Sequence, residues 1–180
     1  MVASCDLGKP LGVRDRAILL LLVRLGLRAG DITAMRLDDI NWDAGTVRVL
    51  GKGRKEVCLP LAQETGEALI EYLVNVRPAA NTDHVFLCSN APVRPLANSS
   101  TVSGIVRIAL QRAGIANPPS KGAHLLRHSA ATDMLRSGAS LDVIATVLRH
   151  QSSDTTAHYA KVDIEMLGEI VQPWPEGSPC

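Results

Sequence analysis

Residues 123–150 read AHLLRHSAATDMLRSGASLDVIATVLRH. The stretch predicts two helices, broken at Gly138 and Ala139. His124, Arg127 and His128 stand at i, i+3 and i+4, so they share one face of the first helix. A protease-type zinc helix would read HExxH, two imidazole ligands with a glutamate base. Leu125 stands in that glutamate's place and no third ligand is evident, so hydrolytic zinc chemistry is not expected.

Upstream, a helix is predicted from about Val13 to Leu25, with apolar residues at Ile18, Leu21, Leu22 and Leu25. Its run AILLLLV (17–23) is far too short to cross a bilayer and reads as a buried helix. Asp6 and Asp15 precede it and no small-residue cleavage site follows, which makes a poor signal peptide. GLRAGD (26–31) breaks the pattern, and Asp31 suits the N-terminus of a second short helix, DITAMRL (31–37). TVRVL (46–50) alternates as a strand does; GKGRK (51–55) and EVCLPL (56–61) follow, a β-hairpin pattern. QETGEALIEYLVNV (63–76) reads as a helix ending before Pro78, HVFL (84–87) as a short strand, and VSGIVRIALQRAG (102–114) as a helix. A short helix around Tyr159 and a last one over VDIEMLGEIV (162–171) complete the expected order. The fold class is α+β, mainly helical, with one small antiparallel sheet packed against helices.

A chain of 180 residues is long enough to bury a core without staples. Aromatics are 3% of it, so Leu, Ile, Val and Ala must build that core. Cys5, Cys58, Cys88 and Cys180 are scattered and form no CxxC pair, which argues for reduced thiols and against a zinc site. Net charge is only +1, low for a protein that grips a duplex, but the distribution is uneven. Arg94, Arg107, Arg112, Lys121, Arg127 and Arg136 face Asp133 alone across 94–136, whereas Glu64, Glu67, Glu71 and Asp83 outnumber Arg77 across 60–83. Such asymmetry suits one anion-facing surface.

Tyr159 lies in SSDTTAHYAKV (152–162), where there is little apolar surface to join. Either it is a half-exposed surface aromatic or its hydroxyl serves chemistry. Arg28 and Lys52 taken singly would be ordinary surface charges; the glycines beside Lys52 would let a phosphate approach, though the spacing is not that of a P-loop. In order, however, the chain offers Arg28, Lys52, His124, Arg127, His150 and Tyr159. Four blocks carry them: GLRAGDITAMRLDDI (26–40), VRVLGKGRKEVCLPL (47–61), HLLRHSAATDMLRSGASLDVIATVLRH (124–150) and TTAHYAKV (155–162). Their order and separations resemble the tyrosine recombinase, or phage-integrase, family, over roughly residues 13–170.

The resemblance implies DNA strand cleavage and rejoining through a 3′-phosphotyrosyl link, without metal or other cofactor. Arg28 and Arg127 would clamp the scissile phosphate, and Tyr159 would be the nucleophile. His124 would act as acid/base, Lys52 would protonate the departing 5′-oxygen, and His150 would donate to the phosphate. Asp31 would brace Arg28, or serve only as a helix cap. Arg54, Lys55, Lys121 and Arg149 are further candidates for DNA contact. The implied partners are double-stranded DNA, other copies of the chain on that DNA, and a separately encoded core-binding domain or accessory protein. The implied setting is a prokaryotic cytoplasm, at the nucleoid, with no membrane.

Two departures stand out. Relatives usually carry an N-terminal helical domain that closes around DNA. Here the expectation is a leader over 1–12, a catalytic domain over 13–172, a tail over 173–180 and no such clamp, with weaker DNA binding as a result. Many relatives have Gly where this chain has Arg149, which would add a phosphate contact or crowd His150. Two rival readings are a non-catalytic DNA-binding or regulatory remnant and a type IB topoisomerase-like activity.

Overall fold

The computed structural model describes residues 1–50 and 56–149. The expected hairpin turn with Lys52, Arg54 and Lys55 lies outside the described residues. So do His150, Tyr159 and the helices and tail expected after residue 150.

The first helix, α1 (Pro10–Arg24), begins three residues before the expected Val13, because Pro10 takes the first-turn position that tolerates a missing N–H. Ile18 through Leu22 are all but wholly buried, so α1 is apolar around most of its circumference. It packs against α3 (Gln63–Asn75) on one side and α5 (Ala123–Arg136) on another. Between α1 and α3 the chain makes a short helix, α2 (Ala29–Ala34), and then the sheet.

The sheet has the order β1-β2-β3, formed by β1 (Ile40–Asn41), β2 (Thr46–Leu50) and β3 (Glu56–Pro60), all antiparallel. β2 and β3 pair in a single register from Thr46 opposite Pro60 to Leu50 opposite Glu56. Val47, Val49 and Leu59 point into the core, while Arg48 and Leu50 point out, as a half-buried sheet requires. The two-residue strand β1 has too little sequence to show any alternation.

Segment 84–87 is not the expected strand. It forms two isolated bridges, His84 with Arg36 and Leu87 with Pro95. Its backbone partners alternate: Val85 N–H donates to Met35 O, and Phe86 O accepts from Leu96 N–H. The Arg77 guanidinium takes the carbonyls of Thr82, His84 and Val85. With its groups divided among three neighbours, the segment builds no continuous ladder. Tyr72 of α3 stacks on Phe86 at 5.4 Å and accepts a hydrogen bond from Leu87 N–H. From α1, Arg14 Nη1 donates to Leu87 O, while its other nitrogens bind the adjacent Asp15 carboxylate.

Helix α4 (Ser99–Arg112) is capped by Asn98, whose Oδ1 accepts from Thr101 N–H. It packs against α2 and α5. Helix α6 (Leu141–Leu148) is capped by Ser140 and joins α5 through a small cluster of Ala131, Leu135, Ile144 and Leu148. It ends at Arg149, which has the left-handed backbone conformation, φ 53°.

Candidate active site

Arg28 reaches its position through a tight break. Gly26, at φ 59°, turns the chain out of α1, and Arg28 then occupies the N-cap of α2 with extended backbone. Asp31 is therefore not the N-cap that the sequence suggests but the third residue of the helix. From there its carboxylate reaches back and accepts the Arg28 N–H at 2.7 Å. A carboxylate in the first turn also faces the positive end of the helix.

Arg127 lies on α5 and is 5% exposed. Nη1 donates to Gly26 O at 2.6 Å, and Nη2 donates to Leu148 O. One guanidinium thus links the α1–α2 break to the end of α6. His124, one turn earlier on α5, is exposed. Its ring stands perpendicular to that of His128 with centroids 4.1 Å apart, and the two Nε2 atoms share a hydrogen bond. Among the described residues no group of three or more His, Cys, Asp or Glu could hold a metal ion.

Arg28, His124 and Arg127 line one cavity of about 210 Å³, with Leu27, Ala29, Ser103 and Ala123. The structure therefore brings three of the six expected catalytic side chains to a common space, although 96 positions separate Arg28 from His124. Ser103, on α4, adds a hydroxyl to the lining. Nothing in VSGIV marks it out, because its place depends on how α4 meets α5.

The candidate DNA-contact residues fall differently. Lys121 is exposed and lines a separate cavity of about 160 Å³ with Arg107 and Gln111. Arg149 points inward and is 7% exposed. Its Nη2 pairs with Asp31 Oδ2, its Nη1 lies 3.3 Å from Asp31 Oδ1, and Nη1 also donates to Leu50 O at 2.9 Å. The sequence offers Arg149 as a phosphate contact or as a residue crowding His150; in the structure its guanidinium is tied to Asp31 and Leu50 O. Its backbone carbonyl accepts from Arg28 Nη2 at 2.8 Å.

A helical domain with a three-stranded antiparallel sheet, carrying two arginines and a histidine on one cavity, has the architecture of a tyrosine recombinase catalytic domain. The chain belongs to the phage integrase family, whose model matches residues 1–166. It is similar to the y4rA protein of Sinorhizobium fredii, with 47% identity over 176 residues, 97% of this chain and 42% of that protein. The tyrosine recombinase XerD of Xanthomonas campestris is 37% identical over 170 residues, 90% of this chain and 52% of XerD. The chain thus spans about half or less of the length of these relatives. In structure it resembles the XerH site-specific recombinase, solved as a post-cleavage complex on a palindromic difH substrate, with a TM-score of 0.78 and 23% identity. That match covers 97% of this chain and 50% of XerH and bears on the fold alone. Among the described residues, no helix is long and apolar enough to cross a membrane.

Proposed function

We propose that this chain is the catalytic domain of a site-specific DNA recombinase that cuts and rejoins strands through a covalent link between Tyr159 and a 3′-phosphate. The cavity shared by Arg28, His124 and Arg127 carries the reading. A phosphodiester is an anion that repels nucleophiles. Two guanidiniums on its non-bridging oxygens neutralise it and stabilise the charge that grows during attack. Arginine suits the task better than lysine because its planar fork matches phosphate.

In this reading the Tyr159 oxygen forms a bond to phosphorus as the bond to the 5′-oxygen breaks. The phenol, with an ordinary pKa of about 10, gives up its proton to His124, the acid/base partner. Lys52 protonates the leaving 5′-oxygen, and His150 donates to the phosphate. The phosphotyrosyl link keeps the energy of the broken ester, so attack by another 5′-hydroxyl reseals DNA without ATP. Charge compensation comes from the arginines, and no metal or other cofactor takes part.

Double-stranded DNA is the substrate, with Arg54, Lys55 and Lys121 contributing phosphate contacts. Exchange needs several copies of the chain on paired sites. A core-binding domain, on the same or another polypeptide, supplies the remaining grip. The reaction belongs at the nucleoid of a prokaryotic cell.

The test is a suicide substrate whose cleaved end diffuses away. A covalent protein–DNA adduct is expected with the wild-type chain and none with Tyr159→Phe. DNA binding without adduct in the wild type would leave a non-catalytic remnant instead. Relaxation of supercoiled DNA without a matched partner site would favour a topoisomerase.

A further inference from the structure

We infer that Arg149 is a positioning residue that fastens the Arg28 segment, the β2–β3 hairpin and the end of α6 into one unit, and so sets the geometry of the proposed phosphate site. Its side chain and carbonyl reach three places. The guanidinium holds both oxygens of Asp31, and the same carboxylate accepts the Arg28 N–H. Nη1 also donates to Leu50 O, the last residue of β2 before the segment that carries Lys52. The Arg149 carbonyl accepts from Arg28 Nη2, which orients the Arg28 guanidinium directly. Leu50 and Arg149 are 99 positions apart, and Asp31 and Arg149 are 118 apart, so these ties are wholly tertiary.

Two features mark the arrangement as more than a surface pairing. The ion pair is withdrawn from water, with side-chain exposures of 3% for Arg149 and 12% for Asp31. Removing one member would leave the other's charge buried and uncompensated. The backbone at Arg149 is also left-handed, where glycine sits freely and arginine pays a steric cost. Nε has no hydrogen-bond partner among the described residues. Arg149 thus combines a left-handed backbone with buried contacts to Asp31 and Leu50.

The inference rests on the strand-cleavage reading for its kinetic consequence but not for its structural one. The test uses the full chain and the variants Arg149→Gly, Arg149→Lys, Asp31→Asn and the Arg149→Gly/Asp31→Asn double. Thermal melts restrict the comparison to temperatures where each is folded. With saturating suicide substrate, Arg149→Gly is expected to slow adduct formation on the order of 10²-fold, the scale set by small misplacement of reacting groups. Arg149→Lys should recover part of that rate. The double variant should be little slower than the slower single one, because both remove the same tie. DNA affinity should keep its dependence on salt. Unchanged cleavage in Arg149→Gly, multiplying losses in the double variant, or a salt slope reduced by about 0.9, the mark of one lost phosphate contact, would each overturn the proposal.

Amide hydrogen exchange separates the two readings. Faster exchange at residues 28–34 and 46–50 in Arg149→Gly supports the fastening role even if the wild type forms no adduct. Unchanged exchange there overturns it.

Discussion

Arg127 Nη1 and the carbonyl of Gly26 meet at 2.6 Å, across 101 positions of sequence. The neighbouring nitrogen meets Leu148 O. A side chain proposed to hold a phosphate is therefore also a tie between the first helix break and the end of α6. Arg127→Ala should lower folding stability by about 2–4 kcal/mol, since it strips buried acceptors of a charged donor. Urea denaturation measures this. Arg127→Lys should restore only part of it, because a single ammonium nitrogen lacks the planar pair of nitrogens that reaches Gly26 O and Leu148 O separately.

Arg28 offers the contrast. It is half-buried and its side chain donates to Arg149 O. Arg28→Ala should cost less than about 1.5 kcal/mol of stability, the range of one net hydrogen bond. Adduct formation should nevertheless slow about 10²–10³-fold, as loss of a transition-state donor does. An Arg28→Ala chain that cleaves at the wild-type rate would remove Arg28 from the phosphate clamp.

Gly26→Ala tests the break itself. The backbone there has φ 59°, and an added Cβ would lie 2.4 Å from Leu148 Cδ2. Left-handed strain and forced repacking together should cost about 2–4 kcal/mol. Because Gly26 O receives Arg127, cleavage should fall even at temperatures where the variant is fully folded. Stability and cleavage both equal to wild type would mean that α6 readjusts freely.

Tyr72→Phe tests the support beneath the 84–96 segment. Removing the hydroxyl leaves the buried Leu87 N–H without its acceptor, at a cost of about 1–3 kcal/mol. Burial, the largest influence, also pushes the Tyr72 phenol above its ordinary value. A group whose folded pKa is raised contributes stability that is full below the unfolded value of about 10 and is lost as pH rises through the folded one. Wild-type stability should therefore fall more steeply than that of Tyr72→Phe above about pH 10. Denaturation midpoints from pH 8 to 11 read the difference.

Sequence reasoning reached the parts governed by local pattern. The Leu-rich run of α1, the break at Gly138 and Ala139, and the alternation of TVRVL all lie within a few residues of the structure they specify. The order and spacing of Arg28, His124 and Arg127 suggest a shared site through family resemblance, and all three line one cavity. What was not legible depended on partners far along the chain. For Asp31 the sequence leaves two roles open, a brace for Arg28 or a plain helix cap, and neither shows the ion pair it makes with Arg149, 118 positions away. Arg149 reads in sequence as a phosphate contact or as crowding His150, and nothing there shows that its guanidinium reaches Asp31 and Leu50 O. HVFL looked like a strand because its side chains suit one, while its backbone partners are shared between residues 35–37 and 94–96.

The double duty of Arg127 bears on how such chains decay. A lineage released from recombination could discard Arg28 with little harm to its architecture, but discarding Arg127 would undo the join between distant segments. Inactive descendants should then keep the second arginine long after the first has drifted. In a survey of diverged copies, Arg28 is the better witness to surviving activity, and Arg127 testifies mainly that the chain still folds.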